Sequence, residues 1–339
     1  MTSNITSSVL ALACLAAQPL AAEPPAPGMQ ELSIPDPDGN RGLSGFVWYP
    51  TDSSDPPVMA LGNGVWQAIP VLPDAPVAEG QKPLLVLSHG MFGNARNQAW
   101  LASAFAGRGY VVAAIDHPGT STFQRDPDDR RALWERPRDI SRTIDHLLAG
   151  DLSIDPDRIY MAGHSLGGFT AVLLAGGRYD PARIDADCAA NPDDLVCGIF
   201  GEWGVARTPE DRAAKSADLS DPRIAAVAVF DLGGTQSFGP ESLGAIETPM
   251  LIIGAPQYYA EIDLDRESRQ LAASVPGALY LEPESVAHMD FLGECTEKGL
   301  AILMDEEPED AFVCEDGTDG RRADHAMIVR AVEEFIADL

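Results

Sequence analysis

Residues 158–177, RIYMAGHSLGGFTAVLLAGG, pass from a strand-like apolar run into a helix-like one and set Ser165 at the junction, between Gly163 and Gly167. A serine on a sharp strand-to-helix turn lies so close to its neighbours that side chains at the flanking positions collide, hence the two glycines. Such a turn holds the hydroxyl above the sheet. The helix opening near Leu166 directs its positive end at any oxyanion formed there. Gly163, His164, Ser165, Leu166 and Gly167 therefore read as a nucleophile elbow, against the plainer alternative of a structural Gly-rich turn.

On both sides of this stretch, strand-like and helix-like segments alternate. LLVLS (84–88), YVVAAID (110–116), RIAAVAVF (223–230), PMLIIG (249–254) and ALYLE (278–282) are short apolar runs of the buried-strand kind. RNQAWLASAFAGRG (96–109) and the closing AMIVRAVEEFIADL have helical periodicity, and DISRTIDHLL (139–148) places Ile140, Ile144, Leu147 and Leu148 on one face. Alternating βα units predict an α/β fold with a mostly parallel central sheet flanked by helices on both faces. Gly42 to Tyr49 and Val58 to Val71 are expected to supply antiparallel edge strands. Residues 177–222 interrupt the alternation with Cys, Pro and charge, and read as a cap-like or lid-like insertion at the carboxyl edge of the sheet.

A serine hydroxyl is a poor nucleophile at neutral pH without a base. Of the six histidines, His164 adjoins the serine and points away, His89 belongs to a separate motif, His117 and His146 come too early in the chain, and His325 opens the last helix. His288, in PESVAHMDF after the last strand run, is the candidate base. LLVLSHGMFGN (84–94) is a strand followed by a glycine-bearing turn, so the Met91 N–H is expected to join the Leu166 N–H in an oxyanion hole. For the acid, AVAVFDLGG (226–234) ends in Asp231 at the carboxyl edge of the sheet, and two glycines let the chain turn away. Asp263 and Asp265 follow the next strand, but sit where aspartate is common as a helix cap. Asp290 lies only two residues past His288, too near to reach back comfortably. Asp231 is preferred and the others remain open.

The 339 residues, 45% of them hydrophobic, suffice for one large core or two modest ones. With 52 acidic against 23 basic residues the formal charge is −29. Such a surface disfavours nucleic acid and anionic membranes as partners, and reads most simply as solubility. Residues 1–22 carry no charged side chain and an apolar run from Val9 to Ala17, as in a secretory signal peptide, which leaves residues 23–339 as the mature domain. No run is long and apolar enough for stable membrane insertion. The expected location is secreted or periplasmic. Cys14 would leave with the signal, and the remaining Cys188, Cys197, Cys295 and Cys314 allow three pairings. The sequence-near pairing, Cys188 with Cys197 and Cys295 with Cys314, is expected, the second within a loop extension spanning 292–320. No CxxC or HxxxH spacing points to a metal.

The motifs FVWYP, PLLVLSHG, GYVVAAIDHPG, RPRDISRTIDHLL, DPDRIYMAGHSLGG and AHMDF together resemble the α/β-hydrolases, from about residue 43 to 295. Within them the chain is similar to the bacterial proteins called predicted dienelactone hydrolases and to platelet-activating factor acetylhydrolase. That resemblance implies a serine carboxylic ester hydrolase with no metal or organic cofactor, and carries over Met91, Ser165, Leu166 and His288. The acetylhydrolase also carries its acid after the strand equivalent to the one ending at Asp231. The expected substrate is a small ester or a short-acyl lipid. A polyester or cutinase-like activity, with Trp203 or Trp134 as an aromatic platform, belongs to the same chemistry, as does a thioesterase. The non-enzymatic alternative is a periplasmic binding module on a hydrolase scaffold. The oligomeric state is not legible.

Overall fold

The structure is a computed structural model that describes residues 25–339 apart from 37, 38, 40, 258–261, 316 and 318. The expected signal peptide, with Cys14, lies outside the described residues, as do Tyr258 and Tyr259. Ten strands form one sheet in the order β10-β9-β8-β7-β5-β6-β2-β1-β4-β3. They are β1 (Gly28–Ile34), β2 (Leu43–Tyr49), β3 (Val58–Ala60), β4 (Ile69–Pro73), β5 (Lys82–Ser88), β6 (Val111–Asp116), β7 (Ile154–His164), β8 (Ile224–Phe230), β9 (Met250–Ile253) and β10 (Leu279–Leu281). From β6 through β5, β7, β8 and β9 to β10 all pairings are parallel.

Among the described residues eleven α-helices accompany them: α1 (Ala99–Ala106), α2 (Pro127–Arg131), α3 (Glu135–Leu148), α4 (Leu166–Leu174), α5 (Pro181–Ala190), α6 (Leu195–Trp203), α7 (Pro209–Lys215), α8 (Pro240–Leu243), α9 (Ser268–Ser274), α10 (Gly299–Glu306) and α11 (Arg321–Ala337). Strands β5 and β6 are buried along their whole length. That is why their sequences run continuously apolar instead of alternating. On one face, Ile140, Ile144 and Leu147 of α3 and Phe169 and Val172 of α4 pack with Val86, Met161 and Val229. On the other, Leu101 and Phe105 of α1 and Ile328, Val329 and Val332 of α11 pack with Leu85, Ala162 and Phe230. The mostly parallel sheet covered on both faces is as expected.

Two expectations need correction. Leu43–Tyr49 is antiparallel but not an edge strand, because Gly28–Ile34 pairs along its outer side and β6 along its inner side. The run from Val58 to Val71 does supply antiparallel strands at the sheet's edge, as the pair β3 and β4. A Cβ at Gly62 would collide with Ala68, so the chain folds back on itself between them. The 292–320 extension is more than a loop, since it holds α10 and a 3-10 stretch over Pro308–Cys314. Both sequence-near disulfides are present, Cys188–Cys197 and Cys295–Cys314. No helix among the described residues is long and apolar enough to cross a membrane. Parallel register brings Ser88 opposite Gly163, His164 opposite Phe230, and Phe230 opposite Ile253. The loops that leave β5, β7 and β8 therefore start from one edge.

Candidate active site

Strand β7 ends at His164 and α4 begins at Leu166, so Ser165 alone makes the turn, with φ 53° and ψ −118°. A non-glycine residue in this region is strained, and such strain persists only where the surroundings hold it. Here the Ser165 N–H donates to the Phe230 carbonyl at 2.8 Å, and the Phe169 N–H donates to the Ser165 carbonyl at 3.1 Å. A Cβ at Gly163 would run into the Gly167 carbonyl, and one at Gly167 into the Ser88 carbonyl. Both glycines are thus required by close backbone approach.

Strand β8 ends one residue before Asp231, which also has positive φ, 41°. Its N–H donates to Ile253 O at 2.8 Å and its Oδ1 accepts the Ala255 N–H at 3.1 Å. Oδ2 lies 2.6 Å from His288 Nδ1, and both side chains are buried. The carboxylate can only accept, so Nδ1 carries the proton and Nε2 is left as the basic nitrogen of the ring. His288 opens a 3-10 turn, His288–Phe291, whose Ala287 N–H donates to Asp290 Oδ2 at 2.7 Å. Asp290 also takes the Gly317 N–H at 3.0 Å. Burial pushes its carboxyl up to about 6. The turn is tied to α11 through His325 Nε2, which is 2.9 Å from Asp290 O and 2.8 Å from Leu292 O. It is tied to α1 through Trp100 Nε1, which donates to Phe291 O at 3.0 Å. Burial holds His325 down to about 3, so it stays neutral.

Ser165, Leu166, His288 and Met91 all line one cavity of about 560 Å³, a size suited to a small organic ligand. Met91 is exposed, and Phe92 beside it has φ 54°. The Phe92 N–H donates to Thr120 O at 2.8 Å and the Gly93 N–H to Gly90 O at 3.2 Å, which closes the loop into a tight turn. Val196, Ile199 and Trp203 of α6 form one wall, and Ile302 and Leu303 of α10 another. The cap-like insertion and the 292–320 extension thus both face the serine. Each is stapled by its own disulfide. Trp66 completes the lining and bridges to Cys295.

The remaining sequence candidates lie elsewhere or do other things. Asp263 and Asp265 are exposed, with Asp263 Oδ1 accepting the Asp265 N–H at 3.0 Å and Asp265 paired with Arg269 at 2.9 Å. Asp290 is occupied by backbone amides of the His288 turn. Trp203 lines the cavity and packs 5.6 Å from Phe92, while Trp134 sits in the core beside α3. His146 is exposed on α3. His164 is buried, its ring centroid 4.5 Å from that of His288 and 5.3 Å from Phe291, and burial keeps it neutral. Among the described residues no group of His, Cys, Asp or Glu is arranged to hold a metal ion. The α10 wall has no counterpart among the sequence expectations, which place a loop at 292–320. The apolar run Leu300 to Met304 in GLAILMDE is the signal of this helix in the sequence.

The comparisons with known proteins agree with this architecture. The family described as "Alpha/beta hydrolase family" matches residues 85–335. The chain is 34% identical over 101 residues to cutinase est1 of Thermobifida alba, which covers 28% of this chain and 31% of that protein. It is 32% identical over 101 residues to cutinase 2 of Thermobifida cellulosilytica, 28% of this chain and 35% of that one. The aligned part is thus about a third of each of these relatives. A ferulic acid esterase from Streptomyces cinnamoneus shares the fold, with TM-score 0.61 at 22% identity over 94% of this chain and 91% of the other. With the parallel sheet, the elbow at Ser165 and a family match over most of its length, the chain belongs to the alpha/beta hydrolase family.

Proposed function

We propose that the protein is a serine carboxylic ester hydrolase that works through an acyl-enzyme, with Ser165 as nucleophile, His288 as general base and acid, and Asp231 as the triad acid. One observation carries the reading: a serine in a strained turn and a histidine hydrogen-bonded to a buried aspartate at 2.6 Å line the same cavity. In the first step His288 Nε2 takes the Ser165 proton as Oγ attacks the ester carbonyl carbon. The Met91 and Leu166 amides receive the oxyanion. Collapse of the tetrahedral adduct breaks the bond to the alcohol oxygen, which leaves with the proton returned by His288. Water, activated by the same imidazole, then releases the acid and restores Ser165. Asp231 fixes the imidazole tautomer and stabilises the imidazolium.

The substrate is a small ester or a short-acyl lipid, because a cavity of about 560 Å³ with walls from α6 and α10 encloses a ligand of that size. The likeness to cutinases over 101 residues favours a second reading, a cutinase-like polyester hydrolase. A chain-length series of p-nitrophenyl esters, run beside a phospholipid and a polyester film, ranks these classes. Turnover of the short esters with little film erosion is expected. Film erosion exceeding ester turnover would favour the second reading, and no turnover of any ester would remove the enzymatic one. The two disulfides and the uncharged apolar start of the chain support export into an oxidising compartment.

A further inference from the structure

The loop that bears Met91 rests on a buried array of polar side chains that the triad does not use. At its centre is Arg136, in the first turn of α3 and 1% exposed. Its Nη2 donates to Ser88 Oγ at 3.0 Å and to the His89 carbonyl. Its Nη1 donates to Thr120 Oγ1, and its Nε to Thr170 Oγ1 at 3.0 Å. Around it, Ser88 Oγ lies 2.9 Å from His117 Nε2, and His117 Nδ1 lies 3.0 Å from Asp139 Oδ2. Arg41 closes the array on Asp139 with two bonds of 2.9 and 2.8 Å.

The protons in this array have one consistent assignment. Asp139 accepts from His117 Nδ1–H, so Nε2 accepts the Ser88 hydroxyl proton, and Ser88 Oγ accepts from Arg136. Burial, then the charges of Arg136 and Arg41, keeps His117 neutral. Burial lowers Arg136 only to about 9, so it stays charged at neutral pH. His89 Nε2 accepts the His117 N–H at 3.1 Å, which leaves the proton on Nδ1, 2.7 Å from Gly90 O. Gly90 O and the Met91 N–H belong to one peptide plane. Holding the oxygen toward His89 turns the Met91 N–H the opposite way.

The same guanidinium also reaches the helix turn that carries the other amide. Thr170 Oγ1, which accepts from Arg136 Nε, donates to Leu166 O at 3.0 Å in the first turn of α4. Thr120, bonded to Nη1, holds the Phe92 N–H on its own carbonyl at 2.8 Å. We propose that Arg136 is the positioning residue of the oxyanion hole, setting the Met91 side through His89 and Thr120 and anchoring the first turn of α4, on which Leu166 sits, through Thr170. Ser88, His117 and Asp139 brace it. This rests on the esterase reading above. A hole made of two amides on separate loops needs one rigid reference for both, and misplacement by about 1 Å costs on the order of a hundredfold in rate.

The test compares Thr120→Val, Thr170→Val and Arg136→Lys with the wild type on a short p-nitrophenyl ester and with an alkyl trifluoromethyl ketone as inhibitor. Ser165 Oγ adds to the ketone carbon, His288 takes the hydroxyl proton, and the resulting oxyanion occupies the hole. Its inhibition constant therefore reports hole geometry and does not depend on the fraction of active protein. The expected result is a kcat lowered by roughly tenfold to a hundredfold with KM within about twofold, and an inhibition constant that rises in parallel. The two threonine variants keep Arg136 in place, so they still report if Arg136→Lys fails to fold. Lower turnover with an unchanged inhibition constant, or no change in either, overturns the proposal. A wild type that turns over no ester removes the esterase reading instead.

Discussion

The chain holds two sets of serine, histidine and aspartate, each with a histidine Nδ1 on a buried aspartate, and they differ in nearly everything else. In one, His288 is bonded to Asp231 at 2.6 Å, and Ser165 is half-buried at the edge of the cavity with φ 53°. In the other, Ser88, His117 and Asp139 are linked at 2.9 and 3.0 Å, but all three are 0% exposed. Ser88 ends a regular strand, and its oxygen is further engaged by Arg136. A hydrogen-bond order is therefore not a site. What separates the two sets is access to a cavity and an uncommon backbone geometry at the serine.

The largest expected effect is at Ser165. Ser165→Ala should lower ester turnover by about 10⁶-fold with unfolding temperature little changed, by analogy with loss of the nucleophile in a serine protease. Activity within tenfold of the wild type in that variant would end the distinction between the two sets. Next comes the aspartate, where Asp231→Asn is expected to lose on the order of 10⁴ in turnover because the imidazole adopts the wrong tautomer. Asp263→Asn, in an exposed turn, should keep near-normal turnover when assayed on the same ester. The reverse outcome would move the acid to the later strand.

Ser88→Ala sharpens the contrast from the other side. It leaves Arg136 Nη2 and His117 Nε2 short of a partner, so chemical denaturation should show a loss of about 1–3 kcal/mol. Turnover should fall far less than in Ser165→Ala, and equal losses in the two would contradict the account. The smallest effect concerns Glu267, a buried carboxyl that accepts the Thr235 N–H at 2.7 Å beyond Asp231. Burial raises its pKa from 4.5 to about 7. A raised folded-state pKa means a stabilising contribution present below about 4.5 and lost as pH climbs through about 7. Glu267→Gln cannot ionise. Its unfolding temperature relative to the wild type should therefore climb between pH 4.5 and 7.5, and a difference that is constant across this range would show that Glu267 is not perturbed.

Much of this was legible in the sequence because the decisive signals are local. The glycines around Ser165 follow from close backbone approach, and the apolar runs from double-sided burial. Asp231 stood out because a carboxyl edge and two glycines follow an apolar strand, and in the structure it bonds His288, whereas Asp263 and Asp265 bond within their own turn. Arg136 and Asp139 lay in plain view inside RPRDISRTIDHLL, yet their partners come from Arg41, Ser88, His117 and Thr170, which only the fold brings together. Lys215 was equally hidden. Its amino group is fully buried with no hydrogen bond, burial pulls its pKa well below the ordinary lysine value, and it sits over the rings of Phe200, Tyr179 and Phe169 at 4.1, 4.2 and 5.0 Å. No pattern of neighbours in the chain announces such a cage. The edge role of Leu43–Tyr49 was misread for a related reason, since nothing in that stretch reports that Gly28–Ile34 will cover it.

The central claim is that Ser165 is activated and Ser88, with the same partners in kind, is not. A fluorophosphonate probe applied to the folded protein, followed by peptide mapping, tests it most directly, because such a probe reacts only with a serine that has both a base and an oxyanion site within reach. Stoichiometric labelling confined to Ser165, abolished in Ser165→Ala, is the predicted result. A label on Ser88, or none on protein shown to be folded, would contradict it.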